Sequence, residues 1–166
     1  GAVDSPFSIL AVANVTTAAL SRMLLSKQNT ANLEWHLFVS ATTNTLVFQI
    51  TDNSVPAQPF RQSDAAITLS TPVLLGATYS AATGGATAAN DMTLYQNGRV
   101  IASTATNVGT YVAMENLGAA VEIGSNTAHT TGFMLGNEDF AALLLHHLAK
   151  DPKDLQKLLD LSENID

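Results

Sequence analysis

The sequence predicts an all-β antiparallel sandwich, and three observations predict it. Short apolar runs of strand length recur along the chain, bounded by Gly, Pro, Asn, Asp and Ser. Two of these runs flank Asn97-Gly98, the dipeptide best suited to the positive φ angles of a two-residue type I′ turn. A helical period enters only late, after Lys150.

Taken in order, the run 6–15 alternates with Phe7, Ile9, Ala11, Ala13 and Val15 on one face and Ser8, Leu10, Val12 and Asn14 on the other. A second strand is expected over 22–26, then a polar loop over 27–32. Trp35, Leu37 and Val39 share a face, as do Leu46, Phe48 and Ile50, so 35–39 and 46–50 read as a hairpin with Trp35 in the core. Residues 51–66, with Asp52, Asn53, Pro56, Pro59 and Asp64, keep no period and are expected to form a long rim loop. Strands follow over 66–69 and 72–79, Pro72 standing at a strand start where its missing N–H does least harm. The Ala, Thr and Gly-rich stretch 81–90 reads as a flexible tip.

In the Asn97-Gly98 hairpin, Gln96 is expected to face Arg99, Tyr95 to face Val100 and Leu94 to face Ile101, continuing to Met92 opposite Ser103. Met92, Leu94 and Ile101 then share one face, and Tyr95, Val100 and Ala102 the other. With apolar residues on both faces, the pair is expected inside a sheet. Short strands are expected over 111–114 and 120–124, a loop over 125–132, and a buried strand over 140–148. Asp151 as cap, Pro152 in the first turn and Leu155, Leu158 and Leu159 on one face predict a short C-terminal helix.

A chain of 166 residues fits one domain, 1–166, with a core from about residue 6 to 161. The absence of cysteine excludes a disulfide framework, a thiolate zinc site and a cysteine nucleophile. A net charge of −7 with only seven scattered Lys and Arg argues against nucleic acid as a partner. No apolar run approaches the ~18 residues of a membrane span. The opening Gly-Ala-Val-Asp reads as a cut domain boundary.

Three blocks carry a resemblance: 23–27 followed by 35–50; Leu-Gly-Ala-Thr-Tyr at 75–79 followed by Leu-Tyr-Gln-Asn-Gly-Arg-Val at 94–100; and Val-Glu-Ile-Gly at 121–124 followed by Phe133-Met-Leu-Gly136 and the helix. Their order resembles the laminin G-like, concanavalin A-like lectin/glucanase jelly roll of secreted, cell-surface and phage virion proteins. Gln96 departs from it, since that position is usually apolar. An aromatic content of 6% is low for a sugar-stacking surface.

The resemblance implies a jelly-roll sandwich and a non-catalytic binding or adhesion module for a glycan or protein, outside the cell or on a virion surface. The alternatives are a structural virion domain, such as a capsid-decoration, fibre or tail domain making contacts with other virion subunits, and a glycoside hydrolase. A homo-oligomer is compatible with either of the first two. Catalytic members carry Glu-x-Asp-x-x-Glu on one strand, which sets two carboxyls ~5–5.5 Å apart. No such run exists here, and Glu138-Asp139, as strand neighbours, would diverge. His146-His147 fails as a metal pair for the same reason, and His36 and His129 are isolated.

Tyr95 is the leading glycan-stacking candidate, with Tyr79, Tyr111 and Asn53 as further candidates. Calcium is the cofactor the resemblance allows. Its candidate ligands are the loop carboxylates Asp52, Asp64, Glu115, Glu138 and Asp139, each of which would otherwise cap a turn or face water.

Overall fold

A computed structural model describes residues 4–16 and 20–125 and the backbone of 140–145. Alternation along β1 (Phe7–Ala13) sets the inside of the molecule, because Phe7, Ile9, Ala11, Ala13 and the following Val15 all enter one core. That core lies between two antiparallel sheets, the architecture the sequence predicts. One sheet has the order β11 (Phe140–Leu145), β1, β6 (Val73–Tyr79), β7 (Met92–Gln96), β8 (Arg99–Val100). The other has the order β10 (Val121–Ile123), β2 (Arg22–Gln28), β3 (Leu33–Val39), β4 (Leu46–Ile50), β5 (Phe60–Ser63), β9 (Ser103–Thr106). The β3–β4 hairpin pairs Trp35 with Ile50, Leu37 with Phe48 and Val39 with Leu46, all six facing inward. Phe7 packs on Trp35, Phe48 and Tyr79 with ring centroids 5.8, 5.8 and 6.0 Å away, which ties both sheets at one end.

The Asn97-Gly98 turn forms as expected, with φ of 50° and 72°. Its hairpin is much shorter than expected. Pairing runs through Gln96–Arg99 and Tyr95–Val100 and closes with Ile101 N–H donating to the Leu94 carbonyl at 3.0 Å. The chain then leaves for the other sheet, where β9 pairs with β5. The Arg61 guanidinium holds it there, donating to the Ser103 hydroxyl at 2.7 Å and the Ser103 carbonyl at 3.1 Å. Among the described strands β8 therefore stands at the edge of its sheet rather than inside it, and Val100 is 63% exposed. The two faces of β7 are as expected, Met92 and Leu94 inside and Tyr95 outside.

Other expectations need correction. The rim loop contains β5, a strand whose polar side chains conceal it from a hydrophobic count. β2 runs on through Lys27 and Gln28, and the turn that follows is 29–32, closed by reciprocal backbone bonds between Asn29 and Asn32. Residues 66–69 form no strand; Ile67 is tucked in by its N–H bond to the Asn44 carbonyl. The expected flexible tip holds a 3₁₀ helix, Gly85–Asp91, with Ala88 and Ala89 fully buried. The Asp91 carboxylate organises it by accepting from Thr83 N–H, Thr83 hydroxyl and Gly84 N–H.

Residues 111–114 also form no strand, because their N–H groups go to carboxylates. Val112 and Ala113 donate to Asp52, and Met114 donates to Asp4. Of the expected strand over 140–148 the described part, 140–145, is β11, whose backbone pairs with β1. The C-terminal helix over 152–159, the segment 133–136, the loop beyond Ser125 and His129, His146 and His147 lie outside the described residues.

Candidate functional site

Where β1 begins and the β2–β3 hairpin turns, the two sheets part around a cleft of about 370 Å³. That is the lower part of the size range of small-ligand pockets. Phe7 and Trp35 form its apolar floor, with Met114 and Val121 at the sides. Ser5, Ser8, Lys27, Glu34, Glu115, Asn116 and Asp4 supply the polar lining.

The alternation that puts Trp35 in the core also brings its ring to this end, so the indole is 7% exposed and serves both core and cleft. Lys27 and Glu34 are positioned by the β2–β3 hairpin, whose short turn places them side by side as an ion pair. Lys27 Nζ also reaches Asn116 Oδ1 and the Leu117 carbonyl, both at 3.3 Å, while Glu34 Oε1 accepts the Leu117 N–H at 3.1 Å. One charge pair therefore fixes the 116–117 wall.

Asp4 fixes the other part of that wall. Its Oδ1 accepts the Met114 N–H at 2.7 Å, and its Oδ2 accepts the hydroxyls of Tyr79, at 2.8 Å, and Tyr111. Burial, together with the adjacent Asp4 carboxylate, holds both phenols well above the ordinary tyrosine range. They are neutral donors at any physiological pH.

Tyr79 and Tyr111 are each 1% exposed, so neither presents a ring face to solvent, and both act as struts under the cleft wall. Tyr95 lies on the outer face of its sheet, 9% exposed, packed with Leu10 and Leu74. Asn53 donates to the Ala31 carbonyl at 2.9 Å and so braces the β2–β3 turn.

Asp52 is buried, with Oδ1 accepting from Ser54 N–H and hydroxyl and Oδ2 from the N–H groups of Val112 and Ala113. Burial acts to raise its pKa, but those four donors outweigh it and hold the carboxyl below its ordinary value. Both oxygens are thus occupied by the protein itself. Asp64 is exposed and accepts the Thr104 hydroxyl at 2.8 Å, while Glu115 stands at the cleft. These carboxylates do not converge. Among the described residues no group of three or more His, Asp or Glu comes together to hold a metal. Glu138 and Asp139 lie outside the described residues.

Sequence reasoning missed Asp4, Lys27 and Glu34 as site residues. Opposite charges flanking the 28–33 link were a usable signal for the Lys27–Glu34 pair. Nothing local marks Asp4, whose partners are 75 to 110 positions away.

No protein-family model matches the sequence, and no curated protein does. Solved structures with a similar fold include a botulinum neurotoxin type C chain, a toxin dependent on interaction with two ganglioside molecules to get into cells. It has a TM-score of 0.46 and 12% identity, over 94% of this chain and 35% of that one. A native heptameric SAP-like pentraxin from Limulus polyphemus has a TM-score of 0.49 and 12% identity, over 93% of this chain and 71% of that one. The botulinum neurotoxin serotype C1 binding domain has a TM-score of 0.45 and 14% identity, over 94% and 36%. The chain spans about a third of the length of each toxin structure. Among the described residues no helix is long and apolar enough to cross a membrane.

Proposed function

We propose that this domain is a non-catalytic binding module that takes a small carbohydrate in the cleft between its sheets. The observation that carries this reading is the composition of the cleft: an aromatic floor of Phe7 and Trp35 beneath a rim of Ser5, Glu115 and Asn116. Sugars are recognised by that combination, a ring face against an aromatic and hydroxyls against convergent polar groups.

Binding rather than hydrolysis is supported by how the carboxylates are used. Asp4 and Glu34 spend their oxygens on internal donors, which leaves Glu115 as the cleft carboxylate with no hydrogen bond to a described residue. A glycosidase needs two acids free to act on one bond. The sparse charge and the Ala, Thr and Asn-rich composition support a setting outside the cell, at a cell or virion surface.

A glycan array read with the wild type and with Asn116→Ala tests the reading. Binding that the variant loses supports it; an array without signal, or signal the variant keeps in full, removes it.

A second reading, a structural domain in contact with copies of itself or with virion subunits, is favoured by β10. It ends its sheet among the described strands, with Val121 and Ile123 43% and 59% exposed. Sedimentation would then show an oligomer that Ile123→Lys dissociates; a wild-type monomer removes this reading.

A further inference from the structure

The outer face of the sheet that holds β1, β6 and β7 is buried where an outer face should be open to water. In register across those three strands stand Ser8, Thr78 and Thr93, and next to them Leu10, Gly76 and Tyr95. Ser8 is 5%, Leu10 4% and Tyr95 9% exposed. Among the described residues the apolar group on this face is only Leu10, Tyr95 and the half-buried Leu74. Neighbours on one sheet face shield each other from the side, not from above, so a further element lies on top of them.

The burial has a limited footprint. Val100, the partner of Tyr95 on β8, is fully open on the same face. Along the chain of β1 the burial weakens from Ser8 and Leu10 to the half-buried Val12 and Asn14. The cover therefore spans β1 to β7, stops short of β8, and is densest toward the Ser8 end.

That end is where the chain leaves β11. Leu145 is the register partner of Ser8, and residues 146–166 follow it. The segment 126–139 instead leads into Phe140, opposite Ala13 at the far end of β1, and its large apolar residues, Phe133 to Leu135, are consecutive rather than at helical spacing. Residues 146–151 can span up to ~20 Å. Beyond them 152–159 places Leu155, Leu158 and Leu159 on one helical face and Lys153 and Lys157 on the opposite one. A helix of that length is ~12 Å long, which matches the ~10 Å from β1 across β6 to β7.

We propose that residues 152–159 form an amphipathic helix that lies across β1, β6 and β7, its Leu155, Leu158 and Leu159 face seated on Leu10, Gly76 and Tyr95. The outer face is then an interior surface of the chain, closed by its own C-terminal segment, and not a docking surface for a ligand or a second copy. This holds whatever the cleft binds.

The chain has no cysteine, so Lys157→Cys in the full chain carries a single nitroxide spin label. Backbone amide NMR of the labelled protein, with and without reduction of the nitroxide, reads what lies beneath it. The amides of Leu10, Gly76 and Tyr95 are expected to lose most of their intensity, and those of Val39 and Leu46 in the other sheet to keep most of theirs. The reverse pattern, or no selective loss, would overturn the proposal. Isotope-labelled wild type mixed with unlabelled spin-labelled protein separates the occupants: no loss there supports a cover within one chain, and loss at Leu10 and Tyr95 would give the face to a second copy. Leu158→Asp should shift the Tyr95 amide and lower the urea midpoint, and Lys157→Asp should do neither. A folded Leu158→Asp variant with the Tyr95 amide and the midpoint unchanged would overturn the proposal as well.

Discussion

Asp4 and Tyr111 lie 107 positions apart, yet the carboxylate of one accepts the hydroxyl of the other beneath the cleft wall. The same carboxylate takes Tyr79 and the Met114 N–H, so the residues ahead of the first strand clasp the segment that carries Glu115 and Asn116. Hydrogen bonds to an ionised group contribute more than neutral ones, and removing the acceptor strands two buried phenols. Asp4→Ala is expected to cost about 2–4 kcal/mol and Tyr111→Phe about 1–2 kcal/mol, with a positive coupling in the double-mutant cycle by urea denaturation. Because both folded phenol pKa values are raised, the stability they contribute is intact below about pH 10 and lost as pH rises beyond it. Absorbance at 295 nm should show phenolate from these two residues only as the protein unfolds in alkali.

Tyr95 is a roof. Leu10, Gly76 and Tyr95 stand opposite one another across β1, β6 and β7, and Tyr95 packs with Leu10 over the position where Gly76 has no side chain. A Cβ at Gly76 would sit 3.1 Å from the Ile9 carbonyl oxygen and 3.4 Å from Leu10 Cγ. Tyr95→Ala is expected to lower stability by about 2–4 kcal/mol and to leave sugar binding unchanged, since Tyr95 does not line the cleft. Loss of binding in a folded Tyr95→Ala variant would move the site to the outer sheet face.

His36 should make the fold acid-sensitive. Its Nδ1 lies 2.8 Å from Gln28 Oε1, its ring packs 5.0 Å from that of Phe38, and burial pushes its pKa down to about 4 from 6.5. Between those values the unfolded chain binds the extra proton and the folded chain does not, so stability falls on acidification through that window. Urea midpoints at pH 7 and pH 4.5 should differ less in His36→Gln than in the wild type, by a stability difference on the order of 1 kcal/mol.

Gly109 holds φ at +75°, and a Cβ there would come within 2.9 Å of Ala57 Cβ and 3.0 Å of Ala57 Cα. Ala57 closes the 52–57 turn from which the Asp52 carboxylate reaches Val112 and Ala113, just after Gly109. Gly109→Ala should cost about 1–3 kcal/mol in thermal or urea denaturation, from strain and contact together. A neutral result would mean that the 108–112 segment shifts freely.

The fold was legible wherever apolar residues alternate over five or more positions, as in β1, the β3–β4 hairpin and β6. It was illegible where polar side chains carry a strand or replace one. β5 hides among Phe60, Arg61, Gln62 and Ser63 because its partners are backbone groups on β4 and β9. The 111–114 segment has a strand-like pattern, but its N–H groups are satisfied by Asp4 and Asp52, whose approach depends on tertiary closure. The same limit applied to the site. A tyrosine reads in sequence as a stacking platform, but Tyr79 and Tyr111 are buried against the Asp4 carboxylate, which no local pattern marks.

Trp35 is the single tryptophan of the chain and lines the cleft from the core, so its emission has one source, and that source borders the cleft. The most direct test of carbohydrate binding there is a fluorescence titration with glucose, galactose, N-acetylglucosamine and glucosamine at millimolar concentrations. A saturable change in Trp35 emission with at least one sugar, weakened about tenfold or more by Asn116→Ala, is the expected result. Flat emission with all four, or a change that Asn116→Ala leaves untouched, would contradict it.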